Sequence, residues 1–320
     1  MISLLRSYGT LIGFAIILVF FSAMLPDTFL TGRNWLNISQ QMSMLIVVAV
    51  TMTIVMVMGD FDLSVGSMAS LAGVVAAILF TFGFPVWAAV GAALLVGLAG
   101  GALNGVLVSL VGILPFIATL ATLTIFSGAA FLISGGRTIF GRDIPTVFSG
   151  FARAGVPLGT IAGQHLTLPN LTIVALVVIV IVWIVLEQTT FGRRLYAIGG
   201  NPEAARLSGV AVKRLRLIAF AFTGFGAAIA GLMYASRVAS ANPTQGSGLM
   251  LNAIAAVFLG MTMSEEGEPR VHATVIGVLI LGALDNGLTQ MSVDSYVRDI
   301  LVGVIILAAV ASSSLWKRLR

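Results

Sequence analysis

Recurrent apolar runs decide what this chain can become. One of them, LTIVALVVIVIVWIVL (171–186), has a single hydroxyl side chain along its length. A helix needs about 20 such residues to cross a bilayer, whereas a barrel strand would show an alternation that these runs lack. Ten runs approach the helical requirement, at 9–25, 40–58, 65–82, 86–110, 113–134, 170–186, 217–236, 250–263, 271–290 and 297–315. Only 9% of the 320 residues are charged, against roughly 25% in a soluble domain, and the mean hydropathy is +1.08. The expectation is an all-α fold, a polytopic transmembrane helix bundle of about ten spans. The first run follows Arg6 without a small-residue cleavage site, which reads as a retained span rather than a signal peptide.

Basic residues orient the bundle. The net charge of +5 reads as a topology signal, because the aromatic-interleaved basic patches of RNA-binding proteins are absent and no nucleic acid is expected as a partner. With ten spans both termini share a face. That face takes eleven of the seventeen Lys and Arg: Arg6, six within 187–216, Arg270, Lys317, Arg318 and Arg320. The other takes Arg33, Arg137, Arg142, Arg153, Arg237 and Arg298. The excess places both termini and 187–216 in the cytoplasm, and leaves 135–169 as a long external loop with three arginines against the trend. Cysteine is absent, which excludes disulfides and thiolate metal sites. His165 and His272 lie far apart in sequence, and no metal site is expected.

Two polar islands interrupt the oil. In AIGGNPEAARLSGV (197–210), Gly199-Gly200 is expected to turn the chain, Asn201 to cap a helix and Pro202 to occupy its first position, where a missing N–H costs nothing. Glu203 faces the positive helix end, and Ser208-Gly209 supply the stop. So short a helix is marginal alone and must pack on something, either its own protein or a partner. The second island, GDFDLSVGS (59–67), sets Asp60 and Asp62 between two apolar runs. It reads either as a water-exposed capped turn or as a helix broken at membrane depth, which is tolerated only where backbone lines a cavity.

No Gly-rich loop ends in Gly-Lys-Ser/Thr, since neither Lys213 nor Lys317 follows a glycine. Paired carboxylates and nucleophile triads are likewise lacking. A conduit fits better than an enzyme.

Gly59-Asp60-Phe61-Asp62-Leu63-Ser64-Val65-Gly66-Ser67 resembles the Gly-Gly-Ile-Asp-Leu-Ser-Val-Gly-Ser signature of sugar permeases in bacterial ABC importers, of the ribose, arabinose, xylose and galactoside types. GALNGVLV (101–108), PFIATLATL (115–123), TTFGRRLYAIGGNPEAARLSGV (189–210), ASANPTQGSG (239–248) and LGALDNGLTQM (281–291) resemble further segments of that family in order. GMTMSEEGEPR (260–270) departs from it, because Glu265, Glu266 and Glu268 stand where the family is glycine-rich.

The resemblance implies one permease domain over 1–320 in the bacterial inner membrane, with a coupling loop at 187–216 and a periplasmic loop at 135–169. It implies no cofactor on this chain, with ATP bound by a separate ABC ATPase subunit. A periplasmic sugar-binding protein, a second permease copy in a homodimer, membrane lipid and the sugar itself complete the implied partners. The coupling helix would dock through Arg193, Arg194, Asn201, Pro202, Glu203, Ala204, Ala205, Arg206, Leu207 and Gly209. Polar groups in or beside apolar runs, Asp62, Ser64, Asn104, Asn252, Asp285 and Asn286, together with Phe116 after Pro115, are candidates for the translocation path. Each polar one has an alternative role as a bridge between helices, and Gly97, Gly100, Gly101 and Gly105 read as close-packing positions. Two other functions stay open: an ABC permease for a nucleoside or amino acid, and an ion-coupled secondary transporter using Asp60, Asp62 and Asp285.

Overall fold

The computed structural model describes residues 2–161, 164–264, 267–304 and 307, so Glu265, Glu266 and the basic residues beyond 307 lie outside the described part. Helices occupy the first nine apolar runs: α1 (Ile2–Met24), α2 (Gly32–Met56), α3 (Val65–Thr81), α4 (Val86–Val106), α5 (Pro115–Ser134), α7 (Asn170–Trp183), α10 (Val212–Val238), α11 (Ser247–Met261) and α12 (Val271–Gln290). Another helix starts at 295 and is described through 304. Shorter helices α6 (Thr146–Arg153), α8 (Thr190–Gly200) and α9 (Pro202–Leu207) lie in the connections. The last turns of the fourth and seventh helices widen into π turns, Leu107–Val111 and Ile184–Gln188.

Among the described residues six helices are long and apolar enough to cross a membrane: α2, α5, α10, α12, and α4 and α7 with their π turns. The apolar part of α1 (Gly9–Met24), α3 and α11 are shorter. The last two are short for a common reason. Each begins inside the bundle, where Gly66 and Gly246 meet so closely that a Cβ on either would lie 2.6 or 2.1 Å from the other's carbonyl oxygen.

The centre of the bundle is α2, buried continuously from Ser43 to Met56, with α10 beside it. The α4–α10 contact is built on small residues. Gly97, Gly101 and Gly105 recur every fourth position on one face of α4. A Cβ on Gly101 would stand 2.3 Å from the Phe220 carbonyl oxygen, and one on Gly105 would stand 2.7 Å from Leu217 Cα. Without apolar solvent exclusion to join helices in lipid, such backbone approach supplies the attraction. Gly100 faces elsewhere, onto Met68 and Phe126.

The described part of 135–169 carries secondary structure of its own. Strand β1 (Ile139–Phe140) pairs with β4 (Ser240–Ala241), and β2 (Gly155–Ile161) forms an antiparallel hairpin with β3 (Gln164–Pro169). The α6 helix buries Phe148 and Ala152, and the Phe148 carbonyl accepts a 2.6 Å hydrogen bond from Ser236 Oγ at the end of α10. These elements gather at one end of the bundle. At the opposite end, Tyr196 Oη donates to the Pro269 carbonyl at 2.9 Å, joining 187–216 to 267–270.

Candidate functional site

Both aspartates of the segment between α2 and α3 are buried, and they have different partners. Asp62 Oδ1 accepts from the Ser64 N–H at 2.9 Å and from Ser64 Oγ at 2.6 Å, which folds the chain into the start of α3. Asn104 Nδ2 reaches in from α4 and donates to Ser64 Oγ at 2.8 Å, while Thr122 Oγ1 on α5 donates to Asn104 Oδ1 at 2.7 Å. All four side chains are at most 2% exposed. Burying such groups is tolerable only because each finds a partner. The chain leaves the helical path between α2 and α3: Gly59 takes φ +80°, and 57–64 carries no α-helix.

Asp60 belongs to another neighbourhood. Its Oδ2 lies 2.6 Å from Arg216 Nε near the start of α10. Asp60 is 5% exposed and Arg216 is partly so, which makes the pair a buried charge closed by its counter-ion. Nothing local to Asp60 announced Arg216. Its RLRL context reads as one more basic residue in a cytoplasmic loop.

At the same end, α8 runs through Gly199 and Gly200 instead of turning there. The reason is contact: a Cβ on Gly199 would lie 2.0 Å from the Val57 carbonyl oxygen. The turn falls at Asn201, whose extended backbone lets its Oδ1 accept from the N–H groups of Glu203 (3.1 Å) and Ala204 (3.0 Å). Ser208 Oγ donates to the Ala204 carbonyl, and Gly209 closes the helix at φ +83°. Glu203 and Arg206 bind one another at 2.6 and 3.0 Å along the outer face. Hydrogen bonding from Arg206 holds the Glu203 carboxyl below its ordinary range, so the pair stays charged at neutral pH. Of the α9 residues only Ala205 is buried, and Leu207 is 75% exposed. Arg193 and Arg194 are exposed on α8 nearby. Tyr196, its phenol pushed up to about 12 chiefly by burial, remains a neutral donor to Pro269.

The other sequence candidates do not converge with Asp62, Ser64 and Asn104. Phe116 is exposed at the start of α5, and Asn252 is exposed on α11. Asn286 exchanges hydrogen bonds with Asn34 (2.9 and 3.1 Å), tying α12 to α2. Asp285 pairs with Arg298 at 2.6 Å, tying α12 to the helix that begins at 295. His165 lies in the β2–β3 hairpin and His272 at the start of α12, where its Nδ1 is 3.7 Å from Glu187.

Residues 34–310 match the family described as "Branched-chain amino acid transport system / permease component". The ribose import permease protein RbsC of Haemophilus influenzae is 38% identical, over 93% of this chain and 90% of its own. The D-allose transport system permease protein AlsC of Escherichia coli is 36% identical, over 95% of this chain and 90% of its own. The L-arabinose transport system permease protein AraH of the same organism is 35% identical, over 95% and 89%. No solved structure matches.

Proposed function

The chain belongs to this family of transport-system permease components, and from that premise we propose that it is the membrane-spanning subunit of an ATP-driven sugar importer. The observation that carries the sugar is the end-to-end similarity to permeases named for ribose, allose and arabinose. ATP is hydrolysed on a separate ABC ATPase subunit, and a periplasmic binding protein delivers the solute. Two copies of the permease form the channel in lipid. Ten helices cross the inner membrane, with both termini and 187–216 in the cytoplasm.

In this reading α9 is the handle. Asn201, Pro202, Glu203, Ala204, Arg206, Leu207 and Gly209 face the ATPase with Arg193 and Arg194, and Ala205 seats the handle on its own protein. Because Gly199 bears directly on the Val57 carbonyl, a push on α8–α9 reaches 57–64 through backbone contact. The Asp60–Arg216 pair joins that segment to α10, so the stroke moves α3 and α10 together. Motion of α3 opens the path.

A second reading rests on the family's own description, and makes the solute a branched-chain amino acid. One experiment separates the two. Vesicles holding the permease, its ATPase and its binding protein are tested for uptake of ribose, allose, arabinose and leucine, with and without ATP and a protonophore. Expected is ATP-dependent uptake of one sugar, insensitive to the protonophore. Leucine uptake alone overturns the sugar. Uptake without the ATPase, abolished by the protonophore, overturns the importer.

A further inference from the structure

A cavity of about 160 Å³ lies where α3 and α11 begin, beside α5. Five hydroxyls line it from three separate stretches of chain: Ser67 and Ser70 on α3, Ser127 on α5, and Thr244 and Ser247 at the entry to α11. Its walls contain no charged residue. Leu63, Leu123 and Met250 supply apolar surface between the hydroxyls.

The Gly66–Gly246 contact builds this cavity. It brings the N-terminal ends of two interrupted helices together, and the Gly246 N–H donates to Ser70 Oγ at 2.8 Å. Irregular backbone at membrane depth is tolerated where it lines a water-filled cavity, and paired helix breaks mark solute sites in transporters. The free capacity of the groups points the same way. Asp62, Ser64, Asn104 and Thr122 are spent on one another, and none of them lines the cavity. Ser67 Oγ donates to the Ser64 carbonyl and Thr244 Oγ1 to Asn242 Oδ1, which leaves their oxygens able to accept.

We infer that this hydroxyl cavity, rather than the Asp62–Asn104 cluster, is where a neutral polyhydroxylated solute is hydrogen-bonded as it crosses. Ser67 and Thr244 offer acceptors to the hydroxyls of a polyol, and neutral hydrogen bonds of modest net strength release it again. Apolar side chains between them suit the C–H faces of a sugar ring. An anionic sugar would enter a charge-free wall and forfeit its hydration, so sugar phosphates are rejected. The identity of the solute as a sugar rests on the proposed function; the location of the path does not.

The test uses the complete complex in vesicles and the absence of native cysteine. Single cysteines at Ser127 and Ser247 are compared with one at Leu176, exposed on α7, for reaction with a small hydrophilic methanethiosulfonate reagent during ATP turnover. Reaction at 127 and 247 at least about tenfold faster than at 176 is expected, as for a wet rather than a lipid-facing position. Equal rates at all three overturn the cavity as a path. In parallel, Ser67→Ala and Ser127→Ala are each expected to lower uptake of the carried sugar about fivefold, the loss of one neutral hydrogen bond, with ATPase co-purification unchanged. Full uptake by the double variant also overturns the proposal, as does transport of the matching sugar phosphate. Failure of the wild-type complex to carry ribose, allose or arabinose overturns the sugar reading alone, since the cysteine rates still report the path.

Discussion

The two polar islands share one local device and use it in opposite surroundings. In each, an Asp or Asn side chain accepts backbone N–H groups at the start of a helix: Asp62 from Ser64, and Asn201 from Glu203 and Ala204. Around Asp62 the remaining hydrogen-bonding groups are tied to α4 and α5, out of water. Around Asn201 the island is closed on itself, with Glu203 bonded to Arg206 and Leu207 left in the open. A buried polar group must be satisfied by its own fold, because no water reaches it. An exposed, self-satisfied helix contributes little to that fold, so its form answers to something outside. Burial, and not the motif, separates an internal brace from the helix proposed as a docking handle.

That contrast can be broken or sharpened by substitutions ranked by their effect on the folded permease. The largest belongs to the brace. Asp60→Ala leaves Arg216 without its counter-ion, and removing one member of a buried pair costs about 3–5 kcal/mol, toward the lower end here because Arg216 is partly exposed. A clear fall in melting temperature in detergent is expected, partly recovered in Asp60→Asn/Arg216→Gln, where both charges are gone. A wild-type melting curve for Asp60→Ala shows the pair to be idle.

Gly101→Leu comes next. It forces α4 away from the Phe220 carbonyl and withdraws Asn104 from Ser64, and overpacking of this kind costs about 1–3 kcal/mol. Reduced yield of folded protein is expected, with Gly91→Leu, which meets nothing within 4 Å, as the unaffected control. If both variants express alike, the glycine stripe does not hold the brace in place.

Asn201→Ala removes the cap of the handle at a cost of about 1 kcal/mol, confined to a short exposed helix. Amide exchange should quicken over 202–207 while α2 and α10 keep their protection. Exchange that quickens throughout the bundle makes α9 part of the core.

The smallest effect on folding is expected from reversing charge on the handle. Glu203→Arg and Arg206→Glu are both exposed and should melt like wild type. Each should nevertheless lower ATPase co-purification and ATP-driven uptake. The double reversal restores the bond within α9 but presents the wrong charges outward, so its uptake stays low. Recovery by the double reversal means that the pair serves only its own helix.

Much of the fold was legible because its causes are local. A crossing depends on transfer free energy summed along a run, and each of the first nine runs is helical. The Asn201 cap depends on atoms two and three residues away, and it forms where the residue types place it. Local rules went wrong at Gly199-Gly200, where a turn was expected and the tight approach to Val57 keeps the helix going. They were also silent on the inside of 135–169, where a hairpin forms and α6 packs on the bundle.

The candidate site was legible only in part. Asp62, Ser64 and Asn104 were picked out separately as polar groups among apolar ones, but neither Thr122 as their fourth member nor Arg216 as the partner of Asp60 was visible. Composition and period determined that this is a helical membrane protein, where its helices run and which short helix is capped. Tertiary structure alone decided which polar groups meet, that α3 and α11 start face to face at Gly66 and Gly246, and that hydroxyls from three stretches share a cavity. In a soluble helix the apolar stripe marks the inward face. In a membrane both lipid and core are apolar, so the pattern along the chain does not record the rotation of a helix about its axis. That rotation is set by the close contacts of glycines such as Gly101 and Gly246 with backbone from distant parts of the chain.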